Sequence, residues 1–210
     1  MLDLRLYRAS LLPFVVAALV AAFSFGSAPS PRSSTLPPDA FNGTRAFSGH
    51  GGLEYLARHY PDRSPGSAGD DALAAYVADQ LEADGFELQP QLTSTASTLS
   101  GRRRITTVIA TRPGSGGAIV VVAHRDATTG PAEAALSGTA VQLELAIDLS
   151  QRTSQRPLAF VSTSGGSGGD AGAQVAAAAL HRPIDAVIVI GDVAGTQARR
   201  PYVVGWSGDG

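Results

Sequence analysis

The chain has 210 residues, no cysteine and a formal net charge of −2, which is enough for one domain with a full core plus a tail. Without cysteine there is no disulfide framework and no thiolate metal site, so any metal must be held by histidine and carboxylates. All 16 basic residues are arginines, scattered except for Arg102-Arg103-Arg104. That cluster reads as a solvated hairpin tip, so no nucleic-acid-binding face is expected.

Arg5 and Arg8 precede Ala9 to Phe25, a run of seventeen residues without a charge. Basic residues before such a span and polar sequence after it place the bulk of the chain outside the cytoplasm. Residues 1–26 therefore read as an uncleaved signal-anchor. The alternative is a cleaved signal peptide that releases a secreted domain, with Ser24-Phe25-Gly26 as the serviceable cleavage site. Residues 27–47 follow as a linker, rich in Ser and Pro between Ser27 and Pro38. The folded domain is then expected over residues 48–210.

Within it, Leu53, Leu56 and Ala57 at helical spacing predict a short helix over Gly51 to Tyr60. Ser67 or Asp70 can cap the next helix, about Asp71 to Asp84, which carries Leu73, Val77 and Leu81 on one stripe and stops at Gly85. Strands are predicted at Phe86 to Leu92, Ile105 to Thr111, Ile119 to Ala123, Leu158 to Ser162 and Ala186 to Ile190. Helices are predicted at Gly138 to Leu149 and Ala171 to Leu180. Strand and helix alternate from Ile119 to Asp192, which argues for a three-layer domain around a mostly parallel sheet. Pro201 to Val204 looks like one more strand. A sheet ending there would lack closing elements, so the chain is expected to be incomplete at its C-terminus.

The most informative stretch is Val120-Val-Val-Ala-His124-Arg-Asp126, an apolar run that ends in an imidazole and a carboxylate two positions apart. A buried parallel strand reads as such a run. Ligands of open α/β sheets bind beyond the carboxyl ends of the strands. His124 thus stands where metal ligands stand, with Asp126 within reach of its other ring nitrogen. Asp192 follows a later strand in the same way. His50, His59 and His181 have no carboxylate or histidine at ligand spacing, and a cationic His181 near a helix end needs no further role.

Several motifs then line up in order: Arg63-Ser-Pro-Gly-Ser67, Val108-Ile-Ala-Thr-Arg-Pro-Gly114, Ala123-His124-Arg-Asp126, Ser137-Gly138 with its helix, and Asp192-Val-Ala-Gly195. Together they resemble the dizinc exopeptidases of metallopeptidase family twenty-eight, from about Leu53 to Gly195. The resemblance implies a three-layer α/β/α fold and assigns His124 and Asp192 as ligands of one zinc, with Asp126 behind His124. It also implies a metal-bridging aspartate at the position of Ala134. A glutamate pair, base and second-metal ligand, belongs where Gly166 and Ser167 stand. Two-metal hydrolysis needs that bridge and that base, and alanine, glycine and serine supply neither. Glu133 provides a third donor if its loop shifts register, and Asp170 is a weaker candidate.

The expectation is a membrane-anchored, extracytoplasmic aminopeptidase-like domain with a degraded metal site, zinc weak or absent, non-catalytic or weakly active, and with a peptide or protein as its ligand. One alternative is an active zinc aminopeptidase cleaving N-terminal residues of peptides. Another is a serine hydrolase, because Gly165-Gly166-Ser167-Gly168-Gly169 fits Gly-x-Ser-x-Gly between a strand and a helix, with Ser167 as nucleophile.

Overall fold

A computed structural model describes residues 41–49, 51–98, 101–127, 133–166 and 170–194, with the side chains of 133 and 134 outside that description. The N-terminal span, most of the linker, His50, Ser167, the side chain of Glu133 and the strand expected at Pro201 to Val204 lie outside the described residues. No helix of the described residues is long and apolar enough to cross a membrane.

Helix α1, Gly43–Ser48, starts at Asn42, whose side chain accepts a hydrogen bond from the Arg45 amide. Its residues 43–47 fall inside the expected linker, whose last part is therefore helical. Arg45 ties it to the domain through paired hydrogen bonds to Glu144 at 2.6 and 2.5 Å. Helix α2, Leu53–His59, buries Leu56. Helix α3, Ala68–Ala83, is capped by Ser67, whose hydroxyl accepts from the Asp70 amide. Its buried Leu73, Val77 and Leu81 repeat every four residues, which puts them on one face. Gly85 ends it in the left-handed region that glycine enters freely.

The strand expected over Phe86 to Leu92 is in fact two. Strand β1, Glu87–Leu88, pairs with Ala110 and Thr111, whereas β2, Leu92–Thr98, pairs with Gly101 to Thr107. Pro90 between them has no N–H for a ladder, and the chain changes partners there. Strand β2 carries Thr93, Thr95 and Thr98, branched residues suited to a half-exposed strand. Strand β3, Gly101–Arg112, starts earlier than its apolar part, so Arg102 to Arg104 belong to the exposed beginning of a strand.

Strand β4, Ala118–His124, leads to helix α4, Glu133–Ser150. Then follow β5, Leu158–Thr163, helix α5, Ala171–Ala179, and β6, Ile184–Ile190. The sheet order is β1-β3-β5-β4-β6, with β2 also on β3. Strands β5, β4 and β6 are mutually parallel, while β1, β2 and β3 add antiparallel pairs. The sheet is therefore mixed, and the parallel reading holds for the β4 to β6 portion from which it was drawn.

Two cores flank the sheet. On one face Leu56, Leu73, Val77 and Leu81 meet Val108, Val121, Phe160 and Leu143, with Phe86 edge-on to Phe160 at 4.9 Å. On the other, Ile109, Val120 and Val161 lie with Ala176 of α5. Among the described residues, strand β6 ends the sheet with no partner beyond it. All exposed large apolar side chains among the described residues, Ile184, Val187, Ile188, Val189 and Val193, lie on it or just beyond it.

Candidate active-site edge

The parallel register sets His124 opposite Thr163 of β5 and Ala123 opposite Ile190 of β6. Three chain exits consequently share one carboxyl edge: Arg125 after β4, Ser164 after β5 and Gly191-Asp192 after β6. Helix α4 closes in beneath. A Cβ on Gly138 would stand 2.7 Å from the Ile190 carbonyl oxygen and 2.9 Å from that of Gly191, so only glycine permits this approach. Ser137 Oγ accepts from the amides of Val193 and Ala194 at 2.8 and 3.2 Å, fixing the backbone just past Asp192. Thr139 Oγ1 donates to the His124 carbonyl at 3.1 Å.

His124 Nε2 and Asp192 Oδ1 come to 3.7 Å, with side chains 29% and 50% exposed. Two donors on one tetrahedral zinc stand roughly 3.3 Å apart, given metal–ligand bonds near 2 Å. The pair suits one ion as far as it goes. A catalytic zinc takes three protein ligands and an open position, and no three His, Asp or Glu side chains converge among the described residues. The described donors do not fit a catalytic zinc.

Asp126 is fully buried, and its Oδ1 accepts from the Gly166 amide at 3.1 Å. Gly166 itself is packed against His124: a Cβ there would stand 3.1 Å from His124 Cβ and 3.3 Å from Cγ. The Gly166 position therefore has a backbone role and little room for a side chain. Asp170 lies at the start of α5 in the left-handed region, φ 55°, with no side-chain cap, and is exposed. His59 stacks on Tyr55, its Nδ1 at 2.9 Å from the Tyr55 carbonyl, and His181 is exposed after α5.

Sequence reading missed a buried ionic group under this edge. Arg63, Asp70, Arg125 and Asp126 are all essentially inaccessible to solvent. Arg125 pairs with Asp70 at 2.8 Å. Burial pushes the Asp70 carboxyl up, opposed by the Arg125 charge and by hydrogen bonds from Ser164 and Gly66. Burial lowers both guanidinium groups, and the charges of Asp126 and Asp70 counter it. The available signal was Arg125 itself, a charge wedged between two site residues directly after a buried strand.

No protein-family model and no curated protein matches the chain. Solved structures do. A glutaminyl cyclase from Porphyromonas gingivalis is similar over 75% of this chain and 62% of its own, with a TM-score of 0.63 and 24% identity. A leucine aminopeptidase precursor from Bacteroides thetaiotaomicron matches over 69% of this chain and 61% of its own, at TM-score 0.56 and 20% identity. LapB from Legionella pneumophila covers 67% of this chain and 41% of its own length, at TM-score 0.55 and 20% identity. The chain thus spans less than two thirds of each of these proteins. At such identities the likeness is one of fold, and the fold is the α/β architecture of glutaminyl cyclases and aminopeptidases.

Proposed function

We propose that this chain is a membrane-anchored, extracytoplasmic aminopeptidase-like domain that binds a peptide or protein ligand and has lost efficient hydrolysis. The observation that carries the reading is Gly166. At the position where the resemblance calls for a glutamate, this residue gives its amide to Asp126 and lies against His124. A carboxylate base and a bridging carboxylate each contribute orders of magnitude to two-metal hydrolysis. Ala134, Gly166 and Ser167 provide neither. What is left at the edge is a half-exposed carboxylate and an imidazole, groups that can hold a ligand's polar end by charge and hydrogen bonding. Anchoring rests on Arg5, Arg8 and the uncharged run from Ala9 to Phe25.

The test is aminopeptidase turnover of the full-length protein with zinc supplied, alongside its zinc content. Turnover at background with less than one tightly held zinc supports the proposal. Turnover abolished by His124→Ala and untouched by Ser167→Ala would establish an active metallopeptidase instead. A second reading, hydrolysis by Ser167, is favoured by one observation: its chain neighbour Gly166 abuts His124, which in turn faces Asp192. Loss of turnover with Ser167→Ala would establish it. N-terminal sequencing of membrane-extracted protein tests the anchor, and a mature chain beginning near Ser27 would replace it with a cleaved signal.

A further inference from the structure

Arg125 separates His124 from Asp126 in the chain, yet its guanidinium is engaged entirely by neighbours under the edge. Nε forms an ion pair with Asp70 Oδ1 at 2.8 Å and donates its hydrogen bond to the Asp70 carbonyl at 3.3 Å. Nη1 donates to the Ser162 carbonyl at 3.1 Å, and Nη2 donates to the Thr106 carbonyl at 2.6 Å. Asp70 in turn takes the Gly66 amide at 2.9 Å and the Ser164 hydroxyl at 2.5 Å on its other oxygen. Ser164 is the first residue after β5 and is fully buried. Two residues on, Gly166 gives its amide to Asp126.

A run such as Ser164-Gly165-Gly166 has almost no side-chain packing to hold it, and Gly165 lies at φ +82°. Glycine loses more conformational freedom on ordering than any other residue. Here the segment is held at both ends by carboxylates, Asp70 on Ser164 and Asp126 on Gly166. Those carboxylates lie among the charges of Arg125 and Arg63. A buried ion pair is seldom a net source of stability compared with apolar packing, and its better-attested use is to specify one arrangement among several.

We propose that Arg125 and Asp70 are positioning residues for the candidate site. Their ion pair presents Asp70 to Ser164 and Gly66, which clamps Gly166 against His124 and fixes the imidazole facing Asp192. The inference rests on the site lying at this edge, as proposed above, and not on whether the site is catalytic.

The experiment uses the full chain and reads hydrogen exchange at the Gly166 amide and the ring-proton shifts of His124 by NMR. Four variants are compared: Ser164→Ala, Ser164→Thr, Asp70→Asn and, as a core control about two helical turns from Asp70 with no hydrogen bond in the network, Val77→Ala. Losing one hydrogen bond to a charged group should speed Gly166 exchange roughly tenfold or more. Ser164→Ala should do so and move the His124 signals, and Ser164→Thr should restore both. Val77→Ala should lower the melting temperature and leave the His124 shifts in place. Should Asp70→Asn fail to fold, the Ser164 pair still decides. Unchanged Gly166 exchange and His124 shifts in Ser164→Ala, or equal changes in Val77→Ala, would overturn the proposal. Zinc-dependent turnover of the wild type would sink the non-catalytic reading alone and leave these shifts as they are.

Discussion

His124 Nε2 stands 3.7 Å from Asp192 Oδ1, joining the carboxyl ends of the neighbouring parallel strands β4 and β6. Two donors at that spacing suit one ion as far as they go, and adding the carboxylates that the resemblance implies has a steric consequence. Gly166→Glu alone should lower stability by about 1–3 kcal/mol in a urea melt, because its Cβ would crowd His124 at 3.1 Å. The triple variant Ala134→Asp, Gly166→Glu, Ser167→Glu should nevertheless bind zinc at least roughly tenfold more tightly than the wild type, since it supplies the carboxylates that the resemblance implies. Competition with a chromophoric chelator measures this, and no gain would mean that the loop does not follow the path implied by the resemblance.

Helix α1 should depend on one arginine. Glu144 is 2% exposed and takes both its ionic hydrogen bonds from Arg45, whose guanidinium the Glu144 hydrogen bond holds above its ordinary value. Arg45→Ala leaves that carboxylate buried without its donors. The expected loss is about 1–3 kcal/mol, reduced from a fully buried pair by the solvent exposure of Arg45. Hydrogen exchange should rise first at the α1 amides, and a melt indistinguishable from wild type would count against the clamp.

Alkaline pH should expose Tyr76. Burial, with smaller contributions from Tyr55 and Tyr60, pushes its phenol up to about 12 from an ordinary 10.0. Between those values the folded chain keeps a proton that the unfolded chain has released. The associated stability is therefore complete below pH 10 and is lost as pH rises toward 12. A phenolate absorbance titration should show Tyr76 titrating late, with Tyr60 also raised by burial, and the step near 12 should be absent in Tyr76→Phe. Ionisation of all tyrosines near pH 10 in the folded protein would contradict the packing of Tyr76 against Tyr55 and Tyr60, at 5.7 Å between ring centroids in each case.

The β6 edge should be the aggregation liability of the described domain. Its side chains are apolar apart from Asp185, which is paired with Arg156. Such edges are normally blunted by lysine, proline or a bulge. Val189, 72% exposed, can be changed to lysine at a cost within about 0.5 kcal/mol. Val189→Lys should reduce light scattering of concentrated protein without moving the melting midpoint. A large destabilisation would mean that Val189 is covered in the folded protein.

The sequence by itself determined the elements whose patterns are local. The runs of β4 and β5 are continuous and apolar because both faces of a central strand are buried, and β6 carries a similar run although it lies at the end of the described sheet. Helix α3 declared itself through Leu73, Val77 and Leu81 and through its Ser67 cap. Those runs also located His124 and Asp192, because residues directly after parallel strands emerge at one edge. Patterns that depend on partners were not legible. The Ser/Thr-rich β2 and the change of partner around Pro90 follow from pairing with β3, which no local period encodes. Helix α1 is short and acquires its place through Arg45 and Glu144, far apart in the chain.

Only the tertiary structure decided what surrounds the site residues. Strand order β5-β4-β6 sets the 3.7 Å separation of His124 and Asp192, since two strands with the same endings can lie adjacent or apart. It also gave Gly166 a role the sequence did not show, as a backbone donor for Asp126. Asp70 and Ser164 carry no signal as letters, and Arg125 signals only that a charge follows a buried strand. Their burial as one hydrogen-bonded group comes from β3, β5 and the start of α3 converging on a single point, and a buried charge acquires its meaning from the partners that chain packing brings to it.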